Sequence, residues 1–214
     1  TIERAIEIAR QTILQTTVEQ IPLTTALDRI LAEDLTSKVD DPAFDNSAMD
    51  GWAVRSQDST REEVGVITAG ETPSKIAPGE AMRIMTGAPI PIGADAIVMV
   101  EDGLNGEARP NFIRRRGENI SKGQTALFKG QRITPAMISL AATMGYAKIP
   151  VESKLRVLLI STGDELIQPG EGLKDGQIYE SNSYGLHALL QKIGCEPIIH
   201  PIVEDSIEGL RTAL

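Results

Sequence analysis

Apolar residues recur at Ile2, Ile6, Ala9 and Ile13, with Glu3, Arg4, Glu7, Arg10 and Gln11 between them. Residues three or four apart share one face of a helix, so this spacing predicts an amphipathic surface helix. After Pro22 the run TTALDRILAEDL sets Leu27, Ile30 and Leu31 on one face behind Thr24 or Thr25 as caps, and predicts a second, shorter helix. The texture then changes. The runs WAVR, EVGVITAG, EAMRIMTG, DAIVMVEDG and NFIRRRG are β-prone and broken by Gly and Pro, which predicts an inserted β-rich domain over 40–119.

Beyond it, ALFKGQRI reads as a hairpin, and TPAMISLAATMG reads as a helix with Thr134 as cap, Pro135 in the first turn and Gly145 at its close. From Lys154 the order is strand RVLLIS, loop TGDELIQPGEGLKDGQIYESN, helix SYGLHALLQKIG, strand PIIHPIV and helix start EDSIEGLRTAL. That alternation predicts a parallel α/β sheet. The expected fold class is multidomain α+β and α/β. A discontinuous helical domain (1–39 with 120–153) surrounds the β insert, and an incomplete parallel α/β domain follows over 154–214.

Charge narrows the partners. Twenty-one basic residues against 30 acidic ones leave a formal charge of −9, the wrong sign for a phosphate backbone or an acidic membrane surface. No apolar run approaches the roughly 20 residues that span a bilayer, and no secretory signal opens the chain, so a cytoplasmic protein is expected. Cys195, His187 and His200 form no zinc-type ligand set, and the two residues His187 and Cys195 read as packing. A metal, if used, is expected on oxygen ligands.

Candidate chemistry gathers in loops. FDNSAMDGWAVR puts Phe44 and the chain's only Trp, Trp52, around Asp45 and Asp50, which suggests a rigid loop presenting Asp50 to a ligand. In RIMTGAPIPIGAD a Pro-stiffened loop holds Thr86 and Gly87, either as a binding turn or as a stiff connection. In a strand, Arg114 and Arg116 of FIRRR would share a face, suited to an oxyanion, with Arg115 opposite. At the carboxyl edge of a parallel sheet, where ligands gather, Gly163 would allow close backbone approach. Asp164 and Glu165 there can bind a cation or a sugar hydroxyl, and Asp205 falls on the same edge. Asp205 or Ser206 can equally be a helix cap, and Ser181 and Asn182 either cap the next helix or offer its N-terminus to a phosphate. Carboxylates for a hard cation such as Mg²⁺, with arginines for an anion, are the pairing phosphate-ester chemistry needs.

FDNSAMDGWAVR, RIMTGAPIPIGADAIVMVED, RRRGENIS, STGDEL and DGQIYESN, in this order, resemble the molybdopterin molybdenumtransferases, or molybdenum insertases. That family includes the MoeA-type bacterial enzymes and the C-terminal region of gephyrin. The resemblance runs from about Thr16 to the last residue. It implies a homodimer with the site between the β-domain of one subunit and the α/β domain of the other. The implied reaction converts adenylated molybdopterin and molybdate, with Mg²⁺, to molybdenum cofactor and AMP, downstream of a molybdopterin adenylyltransferase. Carried over motif by motif, Asp50, Thr86, Glu165 and Asp205 become the residues needed for activity, with Asp50, Glu165 and Asp205 on Mg²⁺ or the phosphoanhydride and Thr86 on the anion. Arg114 and Arg116 would attract molybdate or phosphate, Gly163 and Asp164 would line the substrate, and Ser181 and Asn182 would lie near the pterin phosphate. Phe44, Met49 and Trp52 would anchor the Asp50 loop by burial. The family often has Asp where this chain has Asn119, a departure at a substrate-binding position. The resemblance also implies that the rest of the α/β domain and a C-terminal β-domain lie outside this sequence, so the chain is expected to be part of a longer polypeptide and inactive by itself. A gephyrin-like scaffold without catalysis is the alternative.

Overall fold

The computed structural model describes residues 1–11 and 16–213, and the chain divides into two units: Glu33–Lys148, and Thr1–Ala32 together with Ile149–Leu214.

In the first unit the strands Gly51–Val54, Glu62–Ile67, Glu80–Ile84 and Ala96–Met99 build one sheet, in the order 62–67, 80–84, 51–54, 96–99. The strand Gly51–Val54 is antiparallel to both neighbours, and Glu62–Ile67 runs parallel to Glu80–Ile84. Successive side chains alternate between faces. Ala53, Met82, Ile84 and Ile97 pack with Ile67, Ile76 and Ile113 on one side. On the other, Val54, Ala81, Ala96 and Val98 pack against Trp52 and Leu104. Both faces are covered, which explains why the central strands read as nearly unbroken apolar runs. Two short antiparallel pairs flank the sheet: Asn46–Ser47 with Ile113–Arg114, and Leu35–Thr36 with Thr125–Leu127.

The helix Pro135–Thr143 forms as its sequence dictates. Thr134 Oγ1 accepts the Met137 amide at 3.3 Å, Pro135 fills the first turn, and Gly145 follows the end with φ 88°. The turn at Phe128–Gln131 also forms, and the strand entering it pairs with Leu35–Thr36.

In the second unit the first helix spans Ile2–Gln11, with Ile2, Ile6 and Ile8 exposed. Ile13, the next position of its predicted stripe, lies outside the described residues. The helix expected in TTALDRILAEDL does not form. Only Leu23–Thr25 makes a 3-10 turn, and Asp28 then takes a left-handed φ of 62°, a conformation that breaks a right-handed helix. Ile30 and Leu31 turn extended instead. The Glu152 amide donates to Ile30 O at 2.9 Å and the Ala32 amide to Pro150 O at 3.1 Å, while Leu31 and Val151 are buried as bridge partners. Pairing and burial outweigh the weak local helix preference.

The strands Arg156–Leu159 and Glu196–Ile199 are parallel, as the alternation predicts, joined through the helix Asn182–Lys192 and followed by the helix Ile207–Ala213. The connecting segment read as loop contains a further parallel pair, Leu166–Ile167 with Ile178–Tyr179, each too short to show a period. Leu186, Leu189 and Ile193, the apolar stripe of the connecting helix, stay exposed. No helix among the described residues is long and apolar enough to cross a membrane.

Gly51 sits mid-sheet, where an added Cβ would lie 1.9 Å from Val98 O. Gly51→Ala is therefore expected to destabilise the protein by about 3 kcal/mol, the upper end for overpacking, read as a lowered urea midpoint with an unchanged m-value.

Candidate functional site

The loop of residues 44–50 is held by hydrogen bonds rather than by its aromatic residues. Phe44 is 43% exposed, Met49 and Trp52 are half-buried, and the polar pair Asn46 and Ser47 is buried. The expected anchoring by burial is thus corrected for Phe44, whereas Trp52 packs against the buried cluster of Val54, Ala81, Ala96 and Val98. Backbone pairing holds the loop: the Ser47 amide donates to Ala88 O at 3.0 Å, the Gly87 amide to Ser47 O at 2.8 Å, and the Ile90 amide to Asp45 O at 3.0 Å. Ser47 Oγ also donates to Met49 O at 2.6 Å. The segments DNSAMDG and MTGAP are therefore one interlocked piece.

Asp50 stands exposed at its edge. Its Oδ1 accepts both the Thr86 amide and the Thr86 hydroxyl, each at 2.7 Å. Those two bonds, the amide first, hold its carboxyl below the ordinary 3.8, and the positive charge of Arg83 adds to the effect. Thr86, expected on an anion, here spends its hydroxyl proton on Asp50.

The arginine run does not continue as a strand. The strand stops at Arg114, opposite Asn46, and the chain turns at Gly117 with φ 72°, so the expected shared face of Arg114 and Arg116 does not exist. Arg116 Nε donates to Asp40 at 2.6 Å and its amide to Asp45 at 2.8 Å, while Arg115 pairs with Asp45 at 2.7 Å. Both aspartates are lowered in pKa, Asp40 mainly by the Lys122 amide and Asp45 mainly by the Arg116 amide. Arg114 is exposed and pairs with no carboxylate among the described residues, so it is the member of the run with a free guanidinium. Asn119 Nδ2 donates to Asp41 Oδ2 at 2.9 Å, a bond an ionised aspartate at this position would replace with repulsion.

In the second unit the two acidic loops do meet. Thr162 bridges Val203 in parallel, the Val203 amide donates to Ser161 O at 3.0 Å, and the Asp205 amide donates to Asp164 Oδ1 at 3.3 Å. Asp164 thus holds the Asp205 loop. The carboxyl of Glu165 folds over Gly163, where a Cβ would meet its Oε2 at 2.7 Å, so the absence of a side chain there makes room for Glu165. Ser206 caps the following helix through the Gly209 amide at 3.0 Å, leaving the Asp205 side chain exposed.

Beside these loops, at the carboxyl end of Arg156–Leu159, a crevice of 530 Å³ is lined by Ser161, Thr162, Tyr179, Ser181 and Asn182. Sequence reasoning missed the residue that shapes it. Glu180 is buried, and its Oε1 accepts the Ser183 amide at 2.8 Å and the Ser161 hydroxyl at 3.1 Å, while Ser161 and Ser183 share a 2.8 Å hydroxyl contact. Glu180 caps the helix in place of Ser181, whose side chain makes no capping bond and stays, with Asn182, on the crevice wall. An acid three residues before a helical amide was the available signal.

Among the described residues no three His, Cys, Asp or Glu side chains gather as a metal-ligand set. Asp50 belongs to one unit, Glu165 and Asp205 to the other.

Interlocked β-loops carrying one carboxylate in one unit, and an α/β sheet edge carrying others beside a crevice in the other, define a mixed α/β protein. Comparison with known proteins gives the family. Residues 1–145 match the MoeA N-terminal region (domain I and II), residues 158–214 match a probable molybdopterin binding domain, and the chain belongs to the MoeA family. Molybdopterin molybdenumtransferase 2 of Mycobacterium tuberculosis is 42% identical over 206 residues, covering 87% of this chain and 51% of that protein. The molybdopterin molybdenumtransferase of Synechococcus elongatus is 45% identical over 202 residues, covering 84% and 50%. The crystal structure of the molybdopterin biosynthesis MoeA protein from Pyrococcus horikoshii aligns at TM-score 0.86 with 34% identity, over 99% of this chain and 59% of that one. The chain spans about half the length of the curated relatives it matches.

Two outcomes follow from the geometry. Because the Asp50 pKa is lowered on folding, its contribution to stability is complete above the ordinary carboxylate range and is lost as pH falls through the lowered value. Thr86→Val removes one of the two donors, so carboxyl ¹³C NMR titration should show Asp50 protonating at higher pH than in the parent. Glu180→Ala leaves the Ser183 amide and the Ser161 hydroxyl without their shared acceptor, and should cost about 1–3 kcal/mol in urea unfolding, with Glu180→Gln costing less.

Proposed function

We propose that this chain serves molybdenum cofactor biosynthesis, in the transfer of molybdenum from molybdate to adenylated molybdopterin with release of AMP. The observation that carries the reading is the paired hydrogen bonding of Thr86 to Asp50, inside motifs that match the family along nearly the whole chain. A carboxylate fixed at one oxygen and exposed at the other is suited to direct a proton or a cation at a reacting phosphate. Asp50, Glu165 and Asp205 are the oxygen donors in this reading, with Mg²⁺ supplied alongside the adenylate. Arg114 draws in the oxyanion, Thr86 and Asp164 hold the carboxylate-bearing loops, and Ser181 and Asn182 take the pterin phosphate at the crevice. Arg116, tied to Asp40, and Asn119, tied to Asp41, support the loop instead of contacting substrate.

The reading extends to a cytoplasmic homodimer, fed by a molybdopterin adenylyltransferase. Its finer architecture is a discontinuous helical part (1–39 with 120–153), the β insert (40–119) and the molybdopterin-binding α/β part (154–214).

The test is AMP release by the full-length gene product given adenylated molybdopterin, molybdate and Mg²⁺. Asp50→Ala and Glu165→Ala should each lower the rate by about 100-fold or more, as expected for loss of a group acting on transition-state charge, with circular dichroism unchanged. Equal rates in parent and variants would remove both residues from the chemistry. Absence of release from a protein that still binds a partner would favour a scaffold.

A further inference from the structure

One cation near Asp50 is left unused by the proposal above. Arg83 is the direct cross-strand partner of Trp52 in the antiparallel pair of Gly51–Val54 with Glu80–Ile84. Directly opposed residues project to the same side of a sheet. Arg83 and Trp52 therefore share a face, and Asp50 lies immediately before this strand, next to Gly51, which stands opposite Ile84. The Arg83 guanidinium lies over the Trp52 ring with its carbon 4.6 Å from the ring centroid. The indole is itself fixed, since Trp52 Nε1 donates to Glu63 Oε2 at 2.6 Å.

Arg83 differs from its neighbours in charge pairing. Arg109, Arg115 and Arg116 each pair with a carboxylate. Arg83 is half-buried, yet it makes no ion pair and donates no hydrogen bond among the described residues. A partly desolvated guanidinium without an acceptor is costly, while stacking on an aromatic ring fixes its plane and leaves its N–H edge free for bidentate bonding. Its charge is felt at Asp50 without closing into a salt bridge.

We propose that Arg83 is a ligand-contacting residue of the Asp50 site: held over the Trp52 ring, its N–H groups receive a tetrahedral oxyanion beside Asp50. The ligand class, phosphate or molybdate, rests on the function proposed above. A cation-bound or protonated oxyanion fits both groups, presenting acceptor oxygens to Arg83 and a positive or donor group to the open oxygen of Asp50.

Trp52 is the only tryptophan of the 214-residue chain, so its fluorescence reports on this face alone. Sodium molybdate and inorganic phosphate, titrated separately against matched chloride, should give a saturable change in the parent with at least one of them, and the two arms separate the sources. Calorimetry supplies the affinities, because a change at 83 also alters the Trp52 signal. Arg83→Met keeps an apolar stem over the ring and should weaken binding at least about tenfold, as for loss of a charge-assisted bidentate contact, while Arg83→Lys recovers part of that loss. No saturable binding in the parent, an Arg83→Met affinity equal to the parent's, or no recovery with lysine would each overturn the assignment. Anion binding that depends on Arg83 in a protein that releases no AMP would sink the reaction and leave this contact standing.

Discussion

Thr86 donates twice to a single oxygen of Asp50, and the rest of the candidate surface in the β-unit is organised around that contact. Two loops far apart in sequence have to arrive together for it to form. They do so because Ser47 exchanges backbone hydrogen bonds with Gly87 and Ala88 while Asp45 accepts from Ile90. The sheet behind them sets the distance: Gly51 begins the central strand and Glu80–Ile84 is its neighbour, so the residues entering one strand and leaving the other lie side by side. Fixing one carboxylate oxygen in this way restricts rotation and leaves the other in a defined direction. Preorganisation of that kind is what an electrostatic role asks of a side chain before any ligand is present.

How the loop is anchored bears on its tolerance to change. Burial of aromatic residues would have made its position depend on side-chain volume, whereas hydrogen bonds make it depend on backbone register. Ser47 is fully buried, its hydroxyl bonds both the carbonyl and the amide of Met49, and its backbone pairs with Ala88 and stands opposite Ile113, which belong to the apolar cluster. The polar loop and the apolar core are thus coupled mechanically through one small serine.

Much of this was legible before any coordinates. The parallel pair Arg156–Leu159 with Glu196–Ile199, the capped helix after Thr134 and the β-strands after Gly51 follow from period, cap chemistry and glycine placement, which are local properties. The meeting of the loops at Asp164 and Asp205 followed from the parallel topology. Where the reading failed, a partner distant in sequence decided the outcome. Ile30 and Leu31 have helical spacing but pair with Pro150–Glu152. Phe44 is apolar but exposed, because Asn46 and Ser47 take the inner positions opposite Ile113 and Arg114. FIRRR has strand composition, yet Asp40 and Asp45 draw Arg115 and Arg116 out of the ladder.

Glu180 shows why a buried acid can be harder to find than an exposed one. From the sequence it is one carboxylate among many, flanked by residues with more obvious claims on a helix N-terminus. In the fold it is enclosed and bonded to an amide and a hydroxyl from two different elements. A carboxyl group whose Oε1 is used in this way settles what its neighbours can do. With the cap supplied by Glu180, the hydroxyl of Ser181 and the amide of Asn182 face the crevice without a structural obligation, and Ser161 is held at the strand end. The division of labour matches the one at Asp50, where Thr86 is spent on positioning so that the group beside it stays available. In both units a polar residue committed to its neighbour makes another one free, and only the committed partner's bonds reveal which is which.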